Sequence, residues 1–75
     1  MIDEAGLVRL VDRLEDRAAG YLTLEEVERA AASEVSEAIA RGLLLIDYRT
    51  RVDGARVILC RLNRRHPLVI ELTSW

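Results

Sequence analysis

The chain of 75 residues contains no lysine, no phenylalanine and no glutamine, and it has one cysteine and one proline. A lone cysteine, Cys60, excludes an internal disulfide and a cysteine-based metal cluster, so the fold must be held by its apolar core. No apolar run approaches the roughly 18 residues that a membrane-spanning helix needs, and the acidic N-terminus lacks the pattern of a secretion signal. We therefore expect a cytoplasmic protein that has no contact with a membrane.

Length and composition indicate one small folded domain over residues 1–75. Hydrophobic residues make up 51% of the chain and charged residues 32%, which is typical of a globular protein. A body of this size has little apolar volume to spare for an active-site cavity, and the sequence shows no nucleophile elbow, phosphate loop or metal-binding helix motif. The sequence thus predicts a protein that is not an enzyme, with no cofactor, no metal site and no small-molecule substrate.

Charge is distributed unevenly along the chain. All eleven basic residues are arginine; residues 1–40 contain four of them and ten acidic residues, whereas residues 41–75 contain seven arginines and three acidic residues. The two halves should therefore face different partners. The basic half is either an anion-binding surface backed by an acidic face, or one of two complementary surfaces that meet in a dimer.

Two helix starts are marked by capping residues. Asp3 is a good N-cap for an amphipathic helix that we expect to end at Gly20, a residue able to take a left-handed conformation. Thr23 and Glu26 form a capping box, with Leu22 and Val27 at the positions of a hydrophobic staple. A second helix therefore begins after Thr23.

The middle of residues 24–41 leaves two alternatives open. Ser33 offers an N-cap for a separate third helix over residues 34–41, which Gly42 would end. The spacing of the apolar residues also fits a single unbroken helix. The sequence thus predicts two or three helices before Gly42.

After Gly42 the apolar spacing becomes strand-like. Residues 43–51 and 55–62 flank Asp53-Gly54, a pair typical of a two-residue hairpin turn. This turn would place Thr50 opposite Val57 and Tyr48 opposite Leu59. A second turn over residues 63–67 leads to a predicted third strand over residues 68–73. The expected fold class is α+β, with two or three helices followed by a three-stranded antiparallel β-meander.

The three predicted strands contain runs that are apolar on both faces. These runs are residues 43–46, 57–60 and 68–70. Helices would cover only one face of a small antiparallel sheet, so another surface should cover the remainder. We expect a homodimer or a protein partner.

The order of helix, short strand, helix, helix and hairpin resembles the winged-helix branch of helix-turn-helix proteins. Residues 21–27 are similar to the start of the first helix of the motif, and residues 35–44 look like a recognition helix that runs into a wing. In that family this helix lies in the DNA major groove and the wing touches the backbone or the minor groove. The resemblance implies a winged-helix-like DNA-binding domain that acts in transcription regulation.

The arginines at the two predicted turns are the candidate nucleic-acid-binding residues, because the guanidinium group suits phosphate. They are Arg49, Arg51, Arg56, Arg64 and Arg65. The predicted recognition helix presents Glu34, Ser36, Glu37 and Arg41, and carboxylates are repelled by phosphates. Two functions are therefore expected: a dimeric regulator that contacts DNA through an arginine-rich wing, or a protein-protein interaction module with no nucleic-acid role.

Overall fold

A computed structural model of the protein describes residues 3–19, 21–31 and 33–74. In these ranges the fold is α+β, with four helices and one two-stranded antiparallel sheet. The elements in chain order are α1 (Glu4–Ala18), α2 (Leu24–Ala31), α3 (Glu34–Ala40), β1 (Leu44–Thr50), β2 (Arg56–Leu62) and α4 (Pro67–Thr73).

The first two helices begin where their capping residues predict. The Asp3 carboxylate accepts a hydrogen bond from the Gly6 amide at 2.7 Å, and the Thr23 hydroxyl accepts one from the Glu26 amide at 3.2 Å. Each bond satisfies an amide that has no partner within the first helical turn. The predicted end of α1 at Gly20 lies outside the described residues, and Ala19 takes the left-handed conformation with φ 52°.

Residues 24–41 form two helices rather than one. The structure thus decides between the two alternatives, although Ser33 caps α3 without a hydrogen bond from its side chain. The predicted stop at Gly42 is confirmed, with φ 76°. The Leu43 amide donates to the Ala38 carbonyl and the Gly42 amide to the Ile39 carbonyl, at 2.9 and 3.0 Å. These two bonds form a Schellman motif, which turns the chain from α3 into β1.

The hairpin between β1 and β2 differs from the prediction by one residue in register. Thr50 lies opposite Arg56 and Tyr48 opposite Ile58. The Arg51 amide donates to the Ala55 carbonyl at 2.8 Å, so the loop has three residues, and Gly54 within it has φ 88°. The predicted two-residue turn requires positive φ at Asp53 as well, which the structure does not have. A shift of one residue moves the side chains of one strand to the other face relative to its partner.

A short extended segment between α1 and α2 lies along the free edge of β2. Thr23 forms an isolated antiparallel bridge with Leu59, and the Leu22 carbonyl accepts from the Cys60 amide at 2.9 Å. This bridge connects the helical half of the chain to the hairpin. In space, β2 therefore lies between this segment and β1.

The predicted third strand over residues 68–73 is wrong, because these residues form α4. Pro67 occupies the first helical position, where its missing N–H costs nothing, and the His66 ring accepts from the Leu68 amide at 3.1 Å. The three-stranded meander is therefore not formed in the described part of the chain. α4 packs against α1.

One hydrophobic core joins all six elements. Its buried residues are Leu7, Val8, Val11, Leu22, Val27, Ala31, Val35, Ala38, Leu43, Leu44, Cys60, Leu62 and Val69. The helices pack on the hairpin face that carries Leu44, Cys60 and Leu62, which we call the core face. Within the described ranges, no helix is both long enough and apolar enough to cross a membrane.

The turn at Gly42 gives a testable prediction. We expect Gly42→Ala to lower the free energy of unfolding by about 1–2 kcal/mol, because alanine is strained at positive φ. The strain is in the backbone, since an added Cβ would approach only His66 Cδ2, at 4.0 Å. Gly42→Asn is the control and should lose less, because asparagine tolerates this conformation. Urea unfolding of the three proteins measures the difference, and equal losses in the two variants would contradict this account.

Candidate functional site

The hairpin extends beyond the helices, and its outer part, residues 48–58, is here called the hairpin arm. Tyr48 lies opposite Ile58 on the core face, yet Tyr48 is 74% exposed and Ile58 38% exposed. Val52, at the end of the arm, is fully exposed. The core face of the sheet therefore continues past the covering helices as an uncovered apolar pair.

The three candidate arginines of the hairpin arm do not lie on one face. Because residues directly opposite each other share a face, Arg56 lies with Thr50 on the core face. Arg49 lies on the opposite face, whereas Arg51 follows the end of β1 and lines one cleft together with Arg56. The structure therefore separates Arg56 from Arg49 but not from Arg51.

Carboxylates of the hairpin itself lie beside two of these arginines. Arg49 Nε is 3.1 Å from Asp47 Oδ2, and Arg51 Nη2 is 3.7 Å from Asp53 Oδ2. The arginine side chains remain 63% and 59% exposed, so water weakens both ion pairs. Among the described residues Arg56 has no carboxylate within ion-pair distance, which makes it the arm's most available cation.

Arg64 and Arg65 lie at the other end of β2. The seven residues of β2 separate the two groups of arginines by about 20 Å, given the rise per residue of a strand. The five candidate residues therefore form no single basic patch within one molecule.

Arg64 is bound to α1. Its Nη2 donates to Asp12 Oδ1 at 2.9 Å and also to the Glu15 carboxylate. Burial lowers the pKa of Arg64, but these hydrogen bonds outweigh it and raise the pKa above its ordinary value. Arg64 therefore fastens the end of the hairpin to α1, while its side chain remains 47% exposed.

Glu15 makes a second contact that completes this junction. Its Oε1 accepts from the Leu62 amide at 2.6 Å, and the Glu15 side chain is only 17% exposed. One carboxylate thus satisfies a backbone donor at the end of β2 and a guanidinium group. The sequence gives no sign of this contact, because the partners are 47 and 49 residues apart.

The outward side of α3 is acidic. Ser36 and Glu37 are exposed and Glu34 is half-buried. Arg41, directly after the helix, donates to Glu37 at 2.7 Å and is also paired with Glu4 of α1. The arginine nearest to this surface is therefore neutralised within the molecule.

An open cleft of about 350 Å³ lies beside the junction of α1 and β2. Its lining residues are Asp12, Glu15, Asp16, Leu22, Cys60, Arg61 and Arg64. Burial, followed by the negative charges of Glu15 and Glu28, raises the pKa of the Cys60 thiol to about 11. The thiol is therefore protonated at neutral pH, and a protonated thiol is a poor nucleophile and a poor metal ligand. The described residues include no group of three or more side chains suited to hold a metal ion.

Comparison of the chain with protein-family models, with curated proteins and with solved structures found no match. The hairpin arm, with Tyr48 and Ile58 uncovered, and the acidic side of α3 are the two surfaces that distinguish the chain.

The junction at Glu15 gives a second prediction. We expect Glu15→Ala to lower the free energy of unfolding by about 1–3 kcal/mol, because it leaves the Leu62 amide without its acceptor. Glu15→Gln is the matched control: its amide oxygen still accepts from Leu62, so it should lose less. Thermal or urea unfolding measures both. If the two variants lose equal stability, the ion pair with Arg64 is the main contribution rather than the bond to Leu62.

Proposed function

We propose that the protein is a winged-helix-like interaction domain that binds another protein through its hairpin arm. The observation that carries the proposal is the uncovered pair of Tyr48 and Ile58, which continues the core face beyond the helices. Monomeric soluble proteins commonly expose single apolar residues, and contiguous apolar patches mark interaction sites. Tyr48 and Ile58 are neighbours that continue the core face, which supports a contact surface here. Tyrosine is also enriched in protein interfaces.

The winged-helix-like architecture is supported by the order of the elements. α1, the bridge at Thr23, α2, α3 and the hairpin follow one another as the family's helix, strand, helix, helix and wing do. In this comparison α3 corresponds to the recognition helix. Its acidic outward side would be repelled by phosphates, which favours a protein as the partner. The proposal gives the chain no catalytic role.

The proposal predicts that the apolar pair of the arm is required for partner binding. The wild-type chain should capture a protein from an extract of its own cells. We expect the double variant Tyr48→Ser, Ile58→Thr to lose this capture. Ile70→Thr is the control, because Ile70 is 50% exposed on α4 and lies outside the arm. Circular dichroism should show that all variants remain folded. Equal capture by the wild type and the double variant would contradict a binding role for the arm.

A second candidate function is contact of the arm with the phosphate backbone of DNA. It is favoured by the exposure of Arg49 and Arg51, whose side chains are 63% and 59% exposed. In the winged-helix family the wing touches the backbone or the minor groove, so this contact would not require α3. A dimer would bring two such arms to one duplex, and a transcription regulator is the matching role.

This second function predicts salt-dependent binding to duplex DNA. Arg49→Glu combined with Arg51→Glu should weaken binding and reduce the slope of log affinity against log salt by about 2. Arg9→Glu combined with Arg13→Glu changes the net charge equally on α1 and is the control. Fluorescence anisotropy at low and moderate salt measures both slopes. Absence of binding at low salt, or equal slopes for the two double variants, would reject this function.

A further inference from the structure

If the proposed function is right, the free edge of β1 indicates which partner the hairpin arm binds. We propose that the arm binds a second copy of this chain, with the two β1 strands pairing edge to edge and antiparallel. Tyr48 of one copy would lie opposite the partner's Tyr48 on the two-fold axis. Backbone hydrogen bonds, charges and exposed apolar residues each support this pairing.

The free edge of β1 presents an ordered row of backbone groups. β2 lies on one side of β1, and among the described residues no strand lies on the other. The Arg51 amide donates to the Ala55 carbonyl, and the Leu43 carbonyl accepts from Asn63. Hydrogen-bonded pairs alternate along an antiparallel ladder, so the odd-numbered residues bond to β2. The even-numbered residues, which are Leu44, Ile46, Tyr48 and Thr50, direct their N–H and C=O groups to the free edge.

These directions restrict the register of a self-pairing. Two β1 strands form a ladder only if even-numbered residues lie opposite even-numbered residues, because only these have backbone groups at the edge. A two-fold axis at Ile46, Asp47 or Tyr48 meets this condition with at least five of the seven residues of β1 overlapping. The choice among the three positions is left to the side chains.

The charges select the register centred on Tyr48. An axis at Asp47 places two carboxylates opposite each other. Like charges directly opposite on neighbouring strands are destabilising. An axis at Ile46 places Asp47 opposite the uncharged Leu45. It also places Tyr48 opposite Leu44, which is buried within its own molecule. An axis at Tyr48 instead places each Asp47 opposite the partner's Arg49. These are non-hydrogen-bonded positions, where facing side chains approach most closely.

The same register covers the exposed apolar residues of the arm. Tyr48 lies opposite Ile58 within each copy, so the pairing forms one row of Ile58, two tyrosines and the partner's Ile58 across a four-stranded sheet. It also brings the end of each arm, which carries Arg56 on the core face, near the start of the partner's β1. This part of β1 follows α3 along the chain. α3 packs on β1 and presents Glu37. The basic and acidic halves of two chains would thus meet.

A charge-reversal pair tests this register. We expect light scattering after size-exclusion chromatography to show that the wild type has twice the monomer mass of 8.5 kDa. Asp47→Arg alone and Arg49→Asp alone create two like-charge pairs across the axis, which should weaken each homodimer at least about tenfold. An equal mixture of the two variants should form a heterodimer, because both cross-strand pairs are then opposite in charge. Formation of the heterodimer also shows that both variants are folded.

Cross-linking gives a second measurement of the same register. Facing residues of a hydrogen-bonded pair have Cα atoms about 5.5 Å apart, which a disulfide spans. Tyr48→Cys should therefore form a covalent dimer on mild oxidation, while Arg56→Cys, exposed on β2, should not. Wild type is the background control, since its one cysteine, Cys60, is buried.

A monomeric wild type, or single reversals that leave the dimer unchanged with no preference for the mixture, would overturn the proposed pairing. Such a result is distinguishable from failure of the proposed function. If capture of a different protein still requires Tyr48 and Ile58, the arm is an interaction surface with another occupant. If neither self-association nor capture depends on these residues, both proposals fail.

Discussion

The three-residue loop at residues 52–54 sets the register of β1 and β2, and most features of the hairpin arm depend on that register. A two-residue loop would have placed Arg49, Arg51 and Arg56 together on one face. The observed loop separates Arg56 from Arg49 and aligns Tyr48 with Ile58 on the core face. It also determines which backbone groups of β1 point to the free edge. A change of one residue thus removes the expected basic face and places Ile58 instead of Leu59 opposite Tyr48.

The helical half of the fold could be predicted because its signals are local. Asp3, Thr23 and Gly42 each act on backbone groups within five residues, so their effect does not depend on the rest of the molecule. Local signals do not predict α4, for which the sequence suggests a strand. Its short apolar run is compatible with a strand or a helix, and the deciding features are Pro67 at the first helical position and the unusual cap from His66. The packing of α4 against α1 further favours the helix over a strand.

The candidate site could be predicted less well, because it depends on contacts between distant parts of the chain. Asp53-Gly54 is compatible with a two-residue and a three-residue loop, and the sequence contains nothing that separates them. The sequence predicts that Arg64 binds nucleic acid, because it lies with Arg65 at a predicted turn and a guanidinium group suits phosphate. In the structure Asp12 and Glu15 of α1 bind it, and only the tertiary fold brings these residues together.

Internal ion pairs also determine which surface of the arm is available to a partner. A phosphate that binds Arg49 or Arg51 must compete with Asp47 or Asp53, whose negative charges stay nearby even when the ion pairs open. The gain from each contact is therefore smaller than that of an arginine without an acidic neighbour. Burial of Tyr48 and Ile58 meets no such competition, since both already lie on an apolar face. Apolar contact with another chain is for this reason the interaction that the arm supports best.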